Sequence, residues 1–253
     1  MNSVEDLLIC AMEIGEQMLV SGAEVHRVEE SIRRMCTAFG FVRTDVFIIT
    51  SSMIVTVVDK DGNTYTQTRR ITSNDTDFEK LHRLNKLSRK ICEKNISIEE
   101  IKSELLWVMS RKTYPLWLEF VAYAIIAGSF TIFFGGGFTE MIVSFFIGAA
   151  VRFGMLLCEM ANLNKIFVKF VSSAIATFFA FVAVKFGVID NVDKVIIGNI
   201  MSLIPGIGLT NALRDLFIGD SISGLLRSIE AALIALTIAA GYFLVVVLGG
   251  ISL

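Results

Sequence analysis

The sequence predicts an α+β cytosolic N-terminal domain, residues 1–115, followed by an all-α membrane domain of five transmembrane helices, residues 116–253. Three observations lead there. Hydrophobic residues make up 54% of the 253 and charged residues only 19%, and the mean hydropathy of +0.65 exceeds that of an ordinary water-soluble domain. Charge is also unevenly placed: 16 Lys and Arg and 17 Asp and Glu fall within residues 1–115, against 7 and 8 in the remainder. From Leu116 onward, apolar windows reach the roughly 20 residues that a helix needs to cross a bilayer. These features exclude a disordered chain and a wholly cytosolic enzyme. The net charge of −2 provides no basic field for a phosphate backbone, so nucleic acid is not an expected partner.

In the first half, Leu7, Leu8, Ala11, Gly15, Met18 and Leu19 share one helical face. After Ser21-Gly22 a second series, Val25, Val28, Ile32, Met35 or Cys36, and Phe39, repeats the spacing until Gly40, which predicts a helical hairpin. Val46 to Ile49, Met53 to Val58 and the alternating Tyr65, Gln67, Arg69 and Ile71 predict two or three strands, with Asp59 to Asn63 as a hairpin turn. Phe78, Leu81, Leu84, Leu87 and Ile91 mark a further amphipathic helix after a cap region at residues 73–76. Ser97-Ile98-Glu99-Glu100 has the form of a capping box ahead of Ile101, Leu105 and Val108.

The five apolar windows are Leu116 to Phe134, Phe138 to Leu157, Ile166 to Phe186, Val195 to Leu213 and Ala231 to Gly250, joined by short connections that include Arg214 to Glu230. Arg111, Lys112, Lys165, Arg214 and Arg227 then fall on one side of the bilayer, which the retention of cations makes the cytosol. Lys185 and Lys194 lie on the other side, where they can snorkel to the interface. The first residues lack the basic and apolar regions of a cleaved secretory signal, so the N-terminal domain is expected to be cytoplasmic.

The fourth window holds the most informative stretch, Asn199 to Asn211, with Pro205-Gly206-Ile207-Gly208 at its centre. A break at membrane depth frees backbone polar groups, which are tolerated only when buried in protein or lining a wet cavity. Gly198, Ser202 and Gly206 recur every four residues as a small-residue stripe, and Asn199 and Asn211 supply amides. The stretch is either a proline kink with a packing seam or a substrate site built from Asn199, Ser202, Pro205, Gly206, Gly208 and Asn211. Arg152 is the other substrate-binding candidate, as a cation for a carboxylate, although it lies close enough to Leu157 to snorkel instead. Glu140 and Glu119 are expected near the interface, and twelve residues of helix keep Glu140 from Arg152. Glu140, Arg214, Asp215 and Asp220 are candidates for gating or coupling; for the last three the alternative is a plain charged stop.

No catalytic or nucleotide-binding motif accompanies these residues, and no cofactor or metal is expected. His26, with Glu24, Glu29 and Glu30 nearby, offers at most an acid–base centre for a membrane-anchored enzyme and otherwise a surface histidine. Asp59-Lys60-Asp61-Gly62 opens like a calcium loop but has Arg70 where the acidic twelfth ligand belongs. Cys10, Cys36, Cys92 and Cys158 are spaced as reduced thiols. The glycosylation sequons at Asn74 and Asn95 lie in the region expected to be cytosolic.

The stretch from Gly15 through Ser21-Gly22-Ala23-Glu24-Val25-His26-Arg27 to Ile32 resembles the opening signature of the bacterial threonine/serine exporter family. Ile204-Pro205-Gly206-Ile207-Gly208-Leu209, continuing through Asp215, Gly219, Asp220 and Gly224, resembles its membrane signature. The resemblance implies an inner-membrane exporter of small polar metabolites, threonine and serine in some members and succinate or related dicarboxylates in others. Long members carry a second group of membrane helices, and short ones work with a separately encoded small membrane protein. The chain is similar to the short form, that of the larger subunit of the succinate exporter. The lipid bilayer, a carboxylate or amino-acid substrate and that small protein are the implied partners, with a homo-oligomer left open. A sensor or assembly role for the soluble half is the competing reading.

Overall fold

A computed structural model describes residues 4–73, 75–94, 96–111 and 114–249. Asn74, Asn95, Lys112 and residues 250–253, which entered the sequon, cap, charge and span assignments above, lie outside the described residues. The chain divides into two compact units, Met1–Thr113 with Ile207–Ser228, and Tyr114–Gly206 with Ile229–Leu253.

The first unit opens with the helical hairpin α1 (Val4–Val20) and α2 (Val25–Ala38). An antiparallel sheet follows, of β1 (Arg43–Ile49), β2 (Ser52–Val58) and β3 (Thr64–Arg70) in the order β1-β2-β3. Val46 pairs with Val55 and Val57 with Tyr65. The period-two pattern sends Met53, Val55 and Val57 inward, where they share a core with Leu8, Met12, Met18, Val28, Ile32 and Met35. Arg69 of β3 ties the sheet to α1 through Glu13 and Glu16. The Asp59 carboxylate accepts from the Asp61 and Asn63 backbone N–H groups, so its oxygens serve the hairpin turn.

α3 (Phe78–Glu93) and α4 (Ile98–Ser110) complete this half of the chain. The cap of α3 is Asp77, which accepts from Lys80 N at 2.9 Å, one residue beyond the expected region. Ser97 caps α4 by accepting from Glu100 N.

The second unit contains α5 (Leu116–Phe133), α6 (Phe138–Met160), α7 (Lys165–Lys185) and α8 (Val192–Ile200). α9 (Gly206–Ile218) belongs almost wholly to the first unit, and α10 (Ser221–Leu248) begins there and continues into the second. Among the described residues, four helices, α5, α6, α7 and α10, are long and apolar enough to cross a membrane. The fold is therefore mostly helical, with one small sheet near the N-terminus.

Two expectations change. The fourth apolar window, expected as a crossing with a break at Pro205, is not among the helices long enough to span: α8 ends at Ile200, residues 201–205 form a turn, and α9 starts after Pro205, which has no N–H to continue the ladder. The stretch Arg214 to Glu230, expected as a connection, is helical except at Gly219-Asp220. Charge alone does not end a helix; the positive φ of 97° at Gly219 does.

Candidate functional site

The two stretches that carry the family resemblance meet in the first unit. α1 ends with Gly22 at φ 94°, Gly22 N–H bonding Leu19 O and Ala23 N–H bonding Met18 O, a Schellman closure that only a residue without Cβ forms freely. Folded this way, the turn presents its carbonyls. Gly22 O accepts from the Asn211 amide at 3.4 Å, and Ala23 O from the Arg227 guanidinium at 3.3 Å. Glu24 pairs with Arg214 at 2.6 Å.

The α9–α10 corner repeats the device. Gly219 N–H bonds Leu216 O and Asp220 N–H bonds Asp215 O, after which Asp220 accepts from Ser223 N to start α10. A Cβ on Gly224 would stand 2.9 Å from Ala212 O, so the two helices touch there because it is glycine. Asp215 is 2% exposed and 3.6 Å from Arg227 Nε. Its Oδ2, Ser21 Oγ and Ser223 Oγ are buried without a hydrogen-bond partner. Burial pushes the Asp215 carboxyl above its ordinary range, against the opposing pull of Arg227.

In the second unit, Arg152 is buried and donates to Glu119 at 2.8 Å and to Glu159 at 3.1 Å. Glu119, expected at an interface, is thus the counter-charge of Arg152, and the cation expected to stand ready for a substrate is occupied. Sequence reasoning missed this pair because Glu119 comes from another helix, 33 residues away. Glu140 is buried at the start of α6 and accepts from Asn191 at 3.1 Å.

Asn199 is 1% exposed; its amide donates to Val195 O while Oδ1 has no partner. Ser202 turns back to Asn199 O. Gly198 is seated against α5, where a Cβ would lie 2.2 Å from Thr131 Oγ1. Gly206 has open space around its Cβ position, so the small-residue stripe serves packing at Gly198 and not at Gly206. Pro205 is half-buried, and Gly206 and Gly208 are exposed. Arg152, Asn199, Ser202, Pro205 and Gly206 thus fall in one unit, and Gly208 and Asn211 in the other.

Sequence reasoning also missed a set of buried hydroxyls. Thr131 of α5 is hydrogen-bonded to Ser144 of α6 at 2.6 Å, Ser173 of α7 donates to Ile238 O of α10 at 2.7 Å, and Ser172 Oγ is buried unpartnered. The available signal was small hydroxyl residues inside apolar windows.

In the first unit, His26 is exposed and lines a cavity of about 630 Å³ with Glu24, Glu30 and Arg214. Glu29 is spoken for, accepting from Ile48 N at 3.1 Å. Among the described residues, no three His, Cys, Asp or Glu side chains gather as a metal site requires.

The sequence model described as "Putative threonine/serine exporter" matches residues 10–249. The chain belongs to the threonine/serine exporter family. Members of this family are transporters, not enzymes, and the four apolar helices make this member an integral membrane protein. A Klebsiella aerogenes protein named "Probable succinate transporter subunit YjjP" is 21% identical over 92% of this chain and 90% of its own length. The Escherichia coli K12 protein of the same name is 20% identical over 95% and 93%. A "Threonine/serine exporter" from Corynebacterium glutamicum is 23% identical over 95% of this chain and 50% of its own length. The chain therefore spans half of that longer relative. No solved structure matches it.

Proposed function

We propose that the chain is one subunit of an inner-membrane secondary exporter of small carboxylate metabolites, a dicarboxylate such as succinate or an amino acid such as threonine or serine. The observation that carries this reading is the family match over residues 10–249, together with relatives of similar length named as succinate transporter subunits. A subunit needs a companion, and we assign that role to a separately encoded small membrane protein. With no nucleotide motif in the chain, export draws on the membrane potential or a proton gradient.

Residues 1–115 are cytosolic in this reading, and residues 116–253 form the membrane domain. Arg214 and Arg227 support it, because both bond the turn at residues 22–24 and so share the side of the N-terminal half. The fifth crossing is the broken segment from Val195 to Leu213, ending before Arg214. Asn199, Ser202, Pro205, Gly206, Gly208 and Asn211 serve substrate along it, where the positive dipole end of α9, which starts after Pro205, favours a carboxylate. Arg152 contributes when a substrate carboxylate exchanges with Glu119 or Glu159. Glu140, Arg214, Asp215 and Asp220 act in gating or coupling, the last three at the corner held to the cytosolic domain.

The test is efflux of preloaded labelled succinate and threonine from cells making this chain, with and without the small membrane protein. Efflux only with both is expected, and it names the substrate class. Arg152→Gln should lower efflux while the protein still reaches the membrane; unchanged efflux removes Arg152 from the site. No efflux with both proteins in the membrane overturns the exporter reading.

A further inference from the structure

Ahead of the first membrane helix, α4 carries a face that the rest of its unit leaves open. The helix buries Ile101, Leu105 and Val108 but leaves Leu106, Trp107 and Met109 at 70%, 51% and 39% exposure. Two guanidinium groups lie against the Trp107 indole, Arg83 of α3 at 4.9 Å and Arg111 at 5.0 Å from the ring centre. Such stacking holds both cations beside the ring. The indole also lines a groove of about 1090 Å³ between α3 and α4, to which Lys86, Arg89 and Lys94 add positive charge. Of its three acidic residues, Glu79 is engaged by Arg83 and Glu104 by Lys90, and Glu93 offsets one of these positive charges. From Leu105 to Arg111 there is no acidic residue at all.

Chain continuity says what lies near this face. Leu116 opens a membrane helix five residues after Arg111, and five extended residues reach at most roughly 18 Å. The headgroup layer is therefore within tether range of Trp107. Tryptophan partitions to that layer, and each Arg or Lys near an anionic leaflet is attracted to it. We propose that Leu106, Trp107 and Met109, with Arg83 and Arg111, form a docking surface for the anionic phospholipid headgroups of the bilayer that α5 enters. The apolar side chains and the indole seat at the headgroup boundary, Arg111 pairs with a lipid phosphate, and Arg83 does so by exchanging Glu79 for it. The proposal rests on α5 being a membrane span and not on what the exporter carries.

The chain has two tryptophans, so Trp117→Phe leaves Trp107 as the sole reporter. The full-length protein is reconstituted in vesicles of phosphatidylcholine, with or without phosphatidylglycerol, and with acyl chains brominated near the headgroup. In the mixed vesicles, bromolipid should quench Trp107 emission and acrylamide should reach it poorly; quenching should fall in phosphatidylcholine alone. Arg83→Gln and Arg111→Gln should each lower the ratio of lipid-contacting to free Trp107 by about fivefold. Absence of bromolipid quenching overturns the proposal, with acrylamide access meaning that the face is in water and acrylamide protection meaning that protein covers it. Equal quenching with and without phosphatidylglycerol, indifferent to both substitutions, overturns the anionic specificity. Efflux is not read here, so failure of the transport reading registers separately.

Discussion

At Asp215, burial and an ion pair act on one carboxylate in opposite directions. The side chain is 2% exposed, Arg227 stands 3.6 Å away, and burial is the larger influence, so the folded pKa lies above the ordinary aspartate value. A carboxyl of this kind binds more protons folded than unfolded, and stability falls as pH rises between the unfolded and folded pKa. Asp215→Asn removes that limb. Relative to Asp215→Asn, the parent protein should lose thermal stability in detergent on going from acid to neutral pH. A relative gain over the same range would mean that Arg227 outweighs burial. Arg214, 51% exposed in its side chain, should matter less than Arg227 at 13%, since exposed pairs contribute only about 0.2–1 kcal/mol.

At the level of helices, the small residues of the membrane region divide into those that seat a neighbour and those that do not. A methyl group at Gly198 would meet Thr131 Oγ1 at 2.2 Å and Ala127 O at 2.9 Å, whereas Gly206 meets nothing within 4 Å. Gly198→Ala should therefore cost about 1–3 kcal/mol, the usual penalty of overpacking, and Gly206→Ala almost nothing. Thermal denaturation in detergent measures both, and equal effects would mean that α8 does not pack as described. The heptad-like repeats of α1 to α4, the alternation of β2 and the break at Pro205 were readable in the sequence, because periodicity and proline act locally. Which residue of the Gly198, Ser202, Gly206 stripe touches a neighbour was not readable, because the facing helix decides it. Glu119 and Arg152 remained apart on the page for the same reason: pairing across helices leaves no mark in spacing.

For the molecule as a whole, the division into units does not follow the division of charge. Ile207–Ser228 groups with Met1–Thr113, and its contacts run to the turn at residues 22–24. A fragment of residues 1–113 with 207–228 joined by a flexible linker should melt higher than residues 1–113 alone. For a domain of this size each kcal/mol corresponds to roughly 4–8 °C, and three polar contacts of about 1 kcal/mol each set the scale. Coincident melting would show that the corner adds nothing to the fold. Composition separates a charged from an apolar half of the chain, but it carries no sign that the α9–α10 corner groups with the first.

This grouping has a consequence in time. The Gly22 and Ala23 carbonyls are complete as soon as α1 and α2 leave the ribosome, but Asn211 and Arg227 follow only after residues 114–206 have been made. Between the end of α2 and Asn211 or Arg227 stand roughly 170–190 residues, so at about 5–20 residues per second the interval is on the order of 10–40 s. Throughout it the first unit is one corner short, and the Gly22 and Ala23 carbonyls stand without the Asn211 and Arg227 donors that bond them in the finished protein.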